Sequence, residues 1–135
     1  MEPRFLLDTN ICIYIREKRP EEVLRRFRKL RAGEAALSAI TFGELLYRAN
    51  KSAQRAAALG RLRELIHVLP ALPLPEAAAE AYGTIRADLE AKGAVIGNND
   101  LWIAAHALAA DLTLVSNNLR EFRRVSGLRL QNWIA

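Results

Sequence analysis

Hydrophobic residues along the chain fall into short apolar runs separated by segments of helical period, which predicts strands alternating with helices. Phe5 to Leu7 reads as a buried strand, and Thr9-Asn10 as the turn into a helix over Ile11 to Arg16. Pro20 lies at the start of a second helix, where its missing N–H costs nothing. Val23, Leu24, Phe27 and Leu30 form the apolar stripe of that helix, with Arg25, Arg26, Arg28, Lys29 and Arg31 around it. Ala35 to Leu37 is a short strand, followed by a helix that carries Ile40, Phe42, Leu45 and Leu46 and starts at Ser38 or Thr41. A further helix covers about Gln54 to Leu65, Val68-Leu69 is a strand, and prolines at 70, 73 and 75 mark a connection.

Pro75 opens the clearest helix, with Ala78, Tyr82, Ile85 and Leu89 at helical spacing and Gly93 placed to end it. Asn98-Asn99 are caps for a helix from about Asp100 to Ala110. Leu112 to Val115 is a second strong strand, Leu119 to Arg123 a short helix and Leu128 to Leu130 a last strand. This alternation predicts an α/β fold with a parallel or mostly parallel sheet and helices on both faces, as one domain over residues 1–135. Sites in such sheets lie outside the carboxyl ends of the strands. Asp8 and Ser116-Asn117-Asn118 stand at two of those ends.

Charge sharpens the picture. The formal net charge is +5 and the pI about 9.9, which suits a polyanionic partner such as nucleic acid or an acidic protein. The single cysteine, Cys12, allows no internal disulfide and is compatible with a reducing cytoplasm. Two histidines, His67 and His106, with one cysteine argue against a structural zinc site. No apolar stretch approaches the roughly 18 residues of a membrane span, and no secretory signal is visible, so the expectation is a cytoplasmic protein without membrane association.

The chemistry rests on dispersed acids. Asp8 ends the first apolar run, and Glu44 and Asp100 stand at the edges of later ones. Each has a structural reading. Asp8 caps the next helix, Thr41-x-x-Glu44 fits a capping box, and Asp100 in a first turn is stabilised by the helix dipole. If the middle helix starts nearer Ser38, Glu44 lies a full turn inside and needs another purpose. Gathered together, three acids would repel and raise their own pKa values unless a divalent ion filled the cluster. Mg²⁺ and Mn²⁺ take such oxygen ligands, activate water and offset phosphate charge. That is a phosphodiesterase arrangement.

Four motifs in order carry a resemblance: Phe5-Leu6-Leu7-Asp8-Thr9-Asn10, Ser38-Ala39-Ile40-Thr41-Phe42-Gly43-Glu44, Ile96-Gly97-Asn98-Asn99-Asp100-Leu101-Trp102 and Leu114-Val115-Ser116-Asn117-Asn118. The chain resembles PIN-domain ribonucleases, and more narrowly the VapC toxins of bacterial type II toxin–antitoxin modules. The resemblance implies a three-layer α/β/α sandwich and a Mg²⁺-dependent endoribonuclease, with Mn²⁺ able to substitute. It implies an acidic core of Asp8, Glu44 and Asp100, with Asp8 and Asp100 as metal ligands. Asn118 stands where many PIN domains place a fourth acid, and it adds no negative charge, which leaves open one metal ion or two. The implied reaction is attack by metal-activated water on structured RNA such as tRNA, leaving a 5′ phosphate and a 3′ hydroxyl. Implied partners are a VapB-type antitoxin and a second copy of the chain in a homodimer.

Other residues have supporting or sober readings. Thr9 and Ser116 orient acids or waters, and Arg86 contacts RNA phosphate, pairs with an active-site acid, or forms a helix-surface ion pair. Glu121 lies near Asn118 and could substitute for the missing fourth acid, but one turn into a helix it reads first as a surface acid. His106 reads as a buried, hydrogen-bonded histidine before a general base. Trp102 reads as packing before base stacking, and the Arg25–Arg31 cluster as a solvated helix face before an RNA track. The alternative function is a catalytically weak PIN-fold protein that binds RNA or antitoxin, and Asn118 alone favours it.

Overall fold

The strand β1 (Phe5–Leu7) takes the centre of the sheet because all three of its residues are apolar and buried. The computed structural model describes residues 2–134, and Met1 and Ala135, the ends of the expected 1–135 domain, lie outside them. β2 (Ala35–Ser38), β3 (Ala71–Leu72), β4 (Thr113–Val115) and β5 (Leu130–Gln131) complete a five-stranded sheet in the order β3-β2-β1-β4-β5. Every pairing among the described residues is parallel, so the sheet is parallel throughout rather than mostly so.

Side chains of a strand point alternately to its two faces, and β1 divides the core accordingly. Phe5 and Leu7 join one cluster with residues of α1 (Thr9–Glu17), α2 (Glu21–Arg28), α3 (Ala39–Asn50) and α4 (Arg55–Val68). Leu6 points the other way, into a cluster with α5 (Ala77–Ala91), α6 (Asn98–Ala109) and α7 (Leu119–Phe122). The result is the expected α/β/α sandwich. Leu6 and Leu7 are fully buried on opposite faces, each contributing about 1.5–3 kcal/mol of burial.

Three sequence expectations shift. Val68 is the last residue of α4 and Leu69 its C-cap, while the strand lies two residues later, at Ala71–Leu72. α3 starts after Ser38, whose Oγ accepts from the Ile40 N–H at 3.1 Å, so Glu44 is not part of a capping box. α6 starts after Gly97, and Asn98 and Asn99 are its first residues rather than its caps. Gly93 does close α5, with a φ of +65° that glycine adopts without penalty.

The chain winds outward from β1 through β2 to β3, then crosses back to place β4 on the other side of β1. The sheet therefore changes winding direction between β1 and β4, the position where open α/β sheets hold their sites. The Asp8 N–H donates to the Val115 carbonyl at 3.0 Å, which joins the carboxyl ends of these two strands.

Candidate active site

Asp8 leaves β1 as the N-cap of α1, its Oδ1 accepting from the Ile11 N–H at 3.0 Å. Its capping role and a place in a site are thus not alternatives. Burial is the largest influence and raises its pKa, opposed by the Ser116 hydroxyl and the Ile11 N–H, with the charge of Glu44 adding to the rise. Ser116, fully buried at the end of β4, also accepts from the Asn118 N–H at 2.9 Å. One hydroxyl therefore ties the loop after β4 to the acid after β1.

Glu44 lies more than one turn inside α3, and Thr9 supplies its orientation. The Thr9 hydroxyl donates to Glu44 Oε1 at 2.6 Å and lies 3.4 Å from Thr41 Oγ1. Asp100 projects from the first turn of α6. Burial, then a hydrogen bond with Glu121, then the charges of Glu121, Asp8 and Glu44 push its pKa up to about 7. Asp8, Glu44 and Asp100 thus lie near enough for their charges to influence one another.

Of the two readings for Glu121, the structure favours the substitute for the fourth acid: it is half-buried and close enough to Asp100 to raise that group's pKa. A signal for it existed: it falls three residues after Asn118, so the first turn of α7 brings it back over that loop. The site therefore has a fourth carboxyl, from a different position than family resemblance implies. Asn118 is half-buried, and its backbone N–H is its tie to Ser116.

Among the described residues, none of these four carboxyls has an ion-pair partner. No group of three or more His, Cys, Asp or Glu side chains among the described residues is placed to hold a metal ion as it stands. Uncompensated carboxyl oxygens around an open pocket suit a hard divalent cation that keeps part of its water shell. The donor set fits such an ion.

The PIN domain family matches residues 5–128. Ribonuclease VapC2 of Haemophilus influenzae is 44% identical over 131 residues, covering 97% of this chain and 98% of that protein. The tRNA(fMet)-specific endonuclease VapC of Shigella flexneri is 40% identical over 130 residues, covering 96% and 98%. In the crystal structure of DNA-bound VapBC from Salmonella typhimurium, one chain superposes with a TM-score of 0.91 at 40% identity, covering 97% and 98%. The chain belongs to the PIN-domain family, among the VapC ribonucleases.

Other expected residues stand outside the PIN acid pocket. Arg86 is exposed, 3.2 Å from Glu90 Oε2, and donates to the Tyr82 hydroxyl at 2.8 Å. It takes the helix-surface ion pair rather than an active-site acid. Trp102 stacks on Tyr82 at 3.8 Å, so packing occupies its ring. His106 is buried with its Nδ1 2.8 Å from Ser38 Oγ, and burial lowers its pKa, which makes it a neutral tether between α6 and the start of α3. Cys12 is buried and its thiol pKa is pushed well up, mainly by burial, so it is not a nucleophile.

Proposed function

We propose that this chain is the toxin of a type II toxin–antitoxin pair, a Mg²⁺-dependent endoribonuclease in which Mn²⁺ can substitute. The observation that carries the reading is four uncompensated carboxyls at the point where the sheet changes winding direction. Asp8 and Asp100 would hold the ion, with Glu44, Glu121 and the Asn118 side chain around it. Bound there, a divalent ion supplies an acidified water and positive charge for the scissile phosphate.

The chain's own groups divide the remaining work. Ser116 and the Ile11 N–H hold Asp8 in place. Thr9 engages Glu44 Oε1 and leaves Oε2 to take the proton of the attacking water. Asp100, with its pKa raised to about 7, would give up its proton to serve as a ligand. The single domain covers residues 1–135.

The proposed substrate is structured RNA, tRNA included, since one relative is named a tRNA(fMet)-specific endonuclease. The proposed partner is a VapB-type antitoxin, as in the VapBC complexes of Rickettsia felis and Salmonella typhimurium. An apolar groove of about 300 Å³ between α3 and α4, lined by Phe42, Leu46, Leu59, Leu62 and Ile66, suits such a partner's helix. A homodimer completes the assembly. No helix is long and apolar enough to cross a membrane among the described residues, and the proposed location is the cytoplasm.

The weak-binder alternative rested on Asn118. Glu121 supplies the charge that Asn118 lacks, which favours the enzyme. The test is cleavage of total bacterial RNA by antitoxin-free protein with Mg²⁺, with chelator, and with Asp100→Asn. Metal-dependent fragments with 5′ phosphate ends, absent in the variant, support the reading. Fragments ending in 2′,3′-cyclic phosphate would sink it, because the 2′ hydroxyl would then be the nucleophile.

A further inference from the structure

The helix that carries Asp100 begins without a side-chain cap. Its N-cap, Gly97, has no side chain with which to bond the N–H groups of the first turn. Helix ends are the first places to fray, and fraying here would carry Asp100 away from Asp8 and Glu44. The start of α6 therefore needs a hold from outside itself.

That hold comes from α5. The Tyr82 hydroxyl donates to Asn98 Oδ1, and the Tyr82 ring stacks on Trp102 at 3.8 Å with the planes 13° apart. Asn98 and Trp102 stand four residues apart, on one face of α6. Asp100 is two residues from each, about 200° round the helix axis. A grip on both positions stops α6 from turning about its axis, and so fixes the direction of the acid on the opposite side.

The hydroxyl is oriented as well. Arg86, one turn further along α5, donates to the Tyr82 oxygen at 2.8 Å and is itself held by Glu90 Oε2 at 3.2 Å. A guanidinium has donors and no acceptor, so the Tyr82 oxygen accepts there and its single proton is left for Asn98. Glu90, Arg86 and Tyr82 thus form one polar chain along α5 that ends on the first residue of α6.

We propose that Tyr82 is a positioning residue for Asp100: it clamps the face of α6 that bears Asn98 and Trp102, and this aims Asp100 at Asp8 and Glu44. Tyr82 acts through Asn98 and touches neither the ion nor the RNA. The purpose of the clamp rests on the nuclease reading.

Tyr82→Phe keeps the stacked ring and removes the hydroxyl, and Asn98→Ala removes its acceptor. The Leu101 amide, which donates to the Gly97 carbonyl at 2.9 Å, reports on the start of α6. In metal-free protein its hydrogen exchange quickens about three- to tenfold in either variant, the worth of one hydrogen bond. The Leu114 amide, bonded to the Arg129 carbonyl within the sheet, keeps its rate. Mn²⁺ affinity, read from the paramagnetic signal of the free ion, weakens by a similar factor. The double variant is no weaker than either single one, because both remove the same bond. Arg86→Met moves both readouts in the same direction and by less. In RNA cleavage, Tyr82→Phe lowers kcat and leaves KM unchanged. Unchanged exchange at Leu101, or effects of Tyr82→Phe and Asn98→Ala that add, overturn the proposal. So does quickened exchange at Leu114, which marks a general loss of stability, or a raised KM with kcat kept, which makes Tyr82 an RNA contact. Failure of the unsubstituted chain to bind Mn²⁺ or cut RNA counts against the nuclease reading, and the exchange rates of metal-free protein still decide the clamp.

Discussion

Glu121 stands beside Asp100, and after burial it is the strongest influence raising the Asp100 pKa to about 7. The pair comes from α7 and α6, elements that the sequence separates and the site rejoins. The raised Asp100 pKa makes the metal-free site sensitive to pH.

The first prediction concerns stability. The folded-state pKa of Asp100 lies above its ordinary value of 3.8, at about 7, so the folded chain binds more protons than the unfolded chain between those values. Stability therefore falls as pH rises through that window. Thermal melts of metal-free protein should give a lower Tm at pH 8 than at pH 5, and Asp100→Asn should flatten the difference. Mg²⁺ or Mn²⁺ should raise Tm more at pH 8, because binding displaces the proton. A Tm independent of pH and metal would refute the raised Asp100 pKa.

Glu121→Gln tests the unexpected acid. It keeps the shape and one hydrogen bond but removes a charge, and RNA cleavage should fall about 10–100-fold. The concentration of metal needed for half-maximal rate should rise with it. Activity equal to the unsubstituted chain would return Glu121 to the role of a surface acid.

Thr9→Val removes the hydroxyl that holds Glu44 at 2.6 Å. The expected result is a fall in kcat of about tenfold and a stability loss of about 1 kcal/mol, read by RNA cleavage and denaturant titration. An unchanged kcat would mean that Glu44 finds its position without Thr9.

His106→Leu should affect folding and not chemistry. It leaves the buried Ser38 hydroxyl without the partner now at 2.8 Å, at a cost of about 1–3 kcal/mol. The pH dependence of cleavage by the folded fraction should keep its shape. A lost limb in that profile would instead identify His106 as a proton-transfer group.

What the sequence disclosed follows from how local each signal is. Phe5–Leu7 and the strand ending at Val115 are apolar runs ending at polar residues, and both formed close to expectation. β3 was misplaced because Val68 and Leu69 continue the helical stripe of Leu62 and Leu65, and two residues between prolines 70 and 73 look like a turn. Only pairing with Leu37 and Ser38 makes Ala71–Leu72 a strand. The capping box at Thr41 gave way to Ser38, whose Oγ reaches the Ile40 N–H. Asp8, Glu44, Asp100 and Ser116 stood out because each follows or borders an apolar run. Glu121 could be named only as the lesser of two readings, since only the docking of α7 beside α6 brings it to Asp100.

Pairing of β1 with β4 also sets when the pocket comes into being. Asp8 and Glu121 stand more than a hundred residues apart, and the Ser116 hydroxyl that steadies Asp8 arrives only when β4 slides in beside β1. A ribosome making this protein releases Asp8, Glu44 and Asp100 first, and none of them is yet held in register. An interrupted product that stops short of β4 carries three of the acids and no assembled pocket. Threading the late strand into the interior of the sheet thus leaves the acid cluster incomplete until the 113–121 segment has been made.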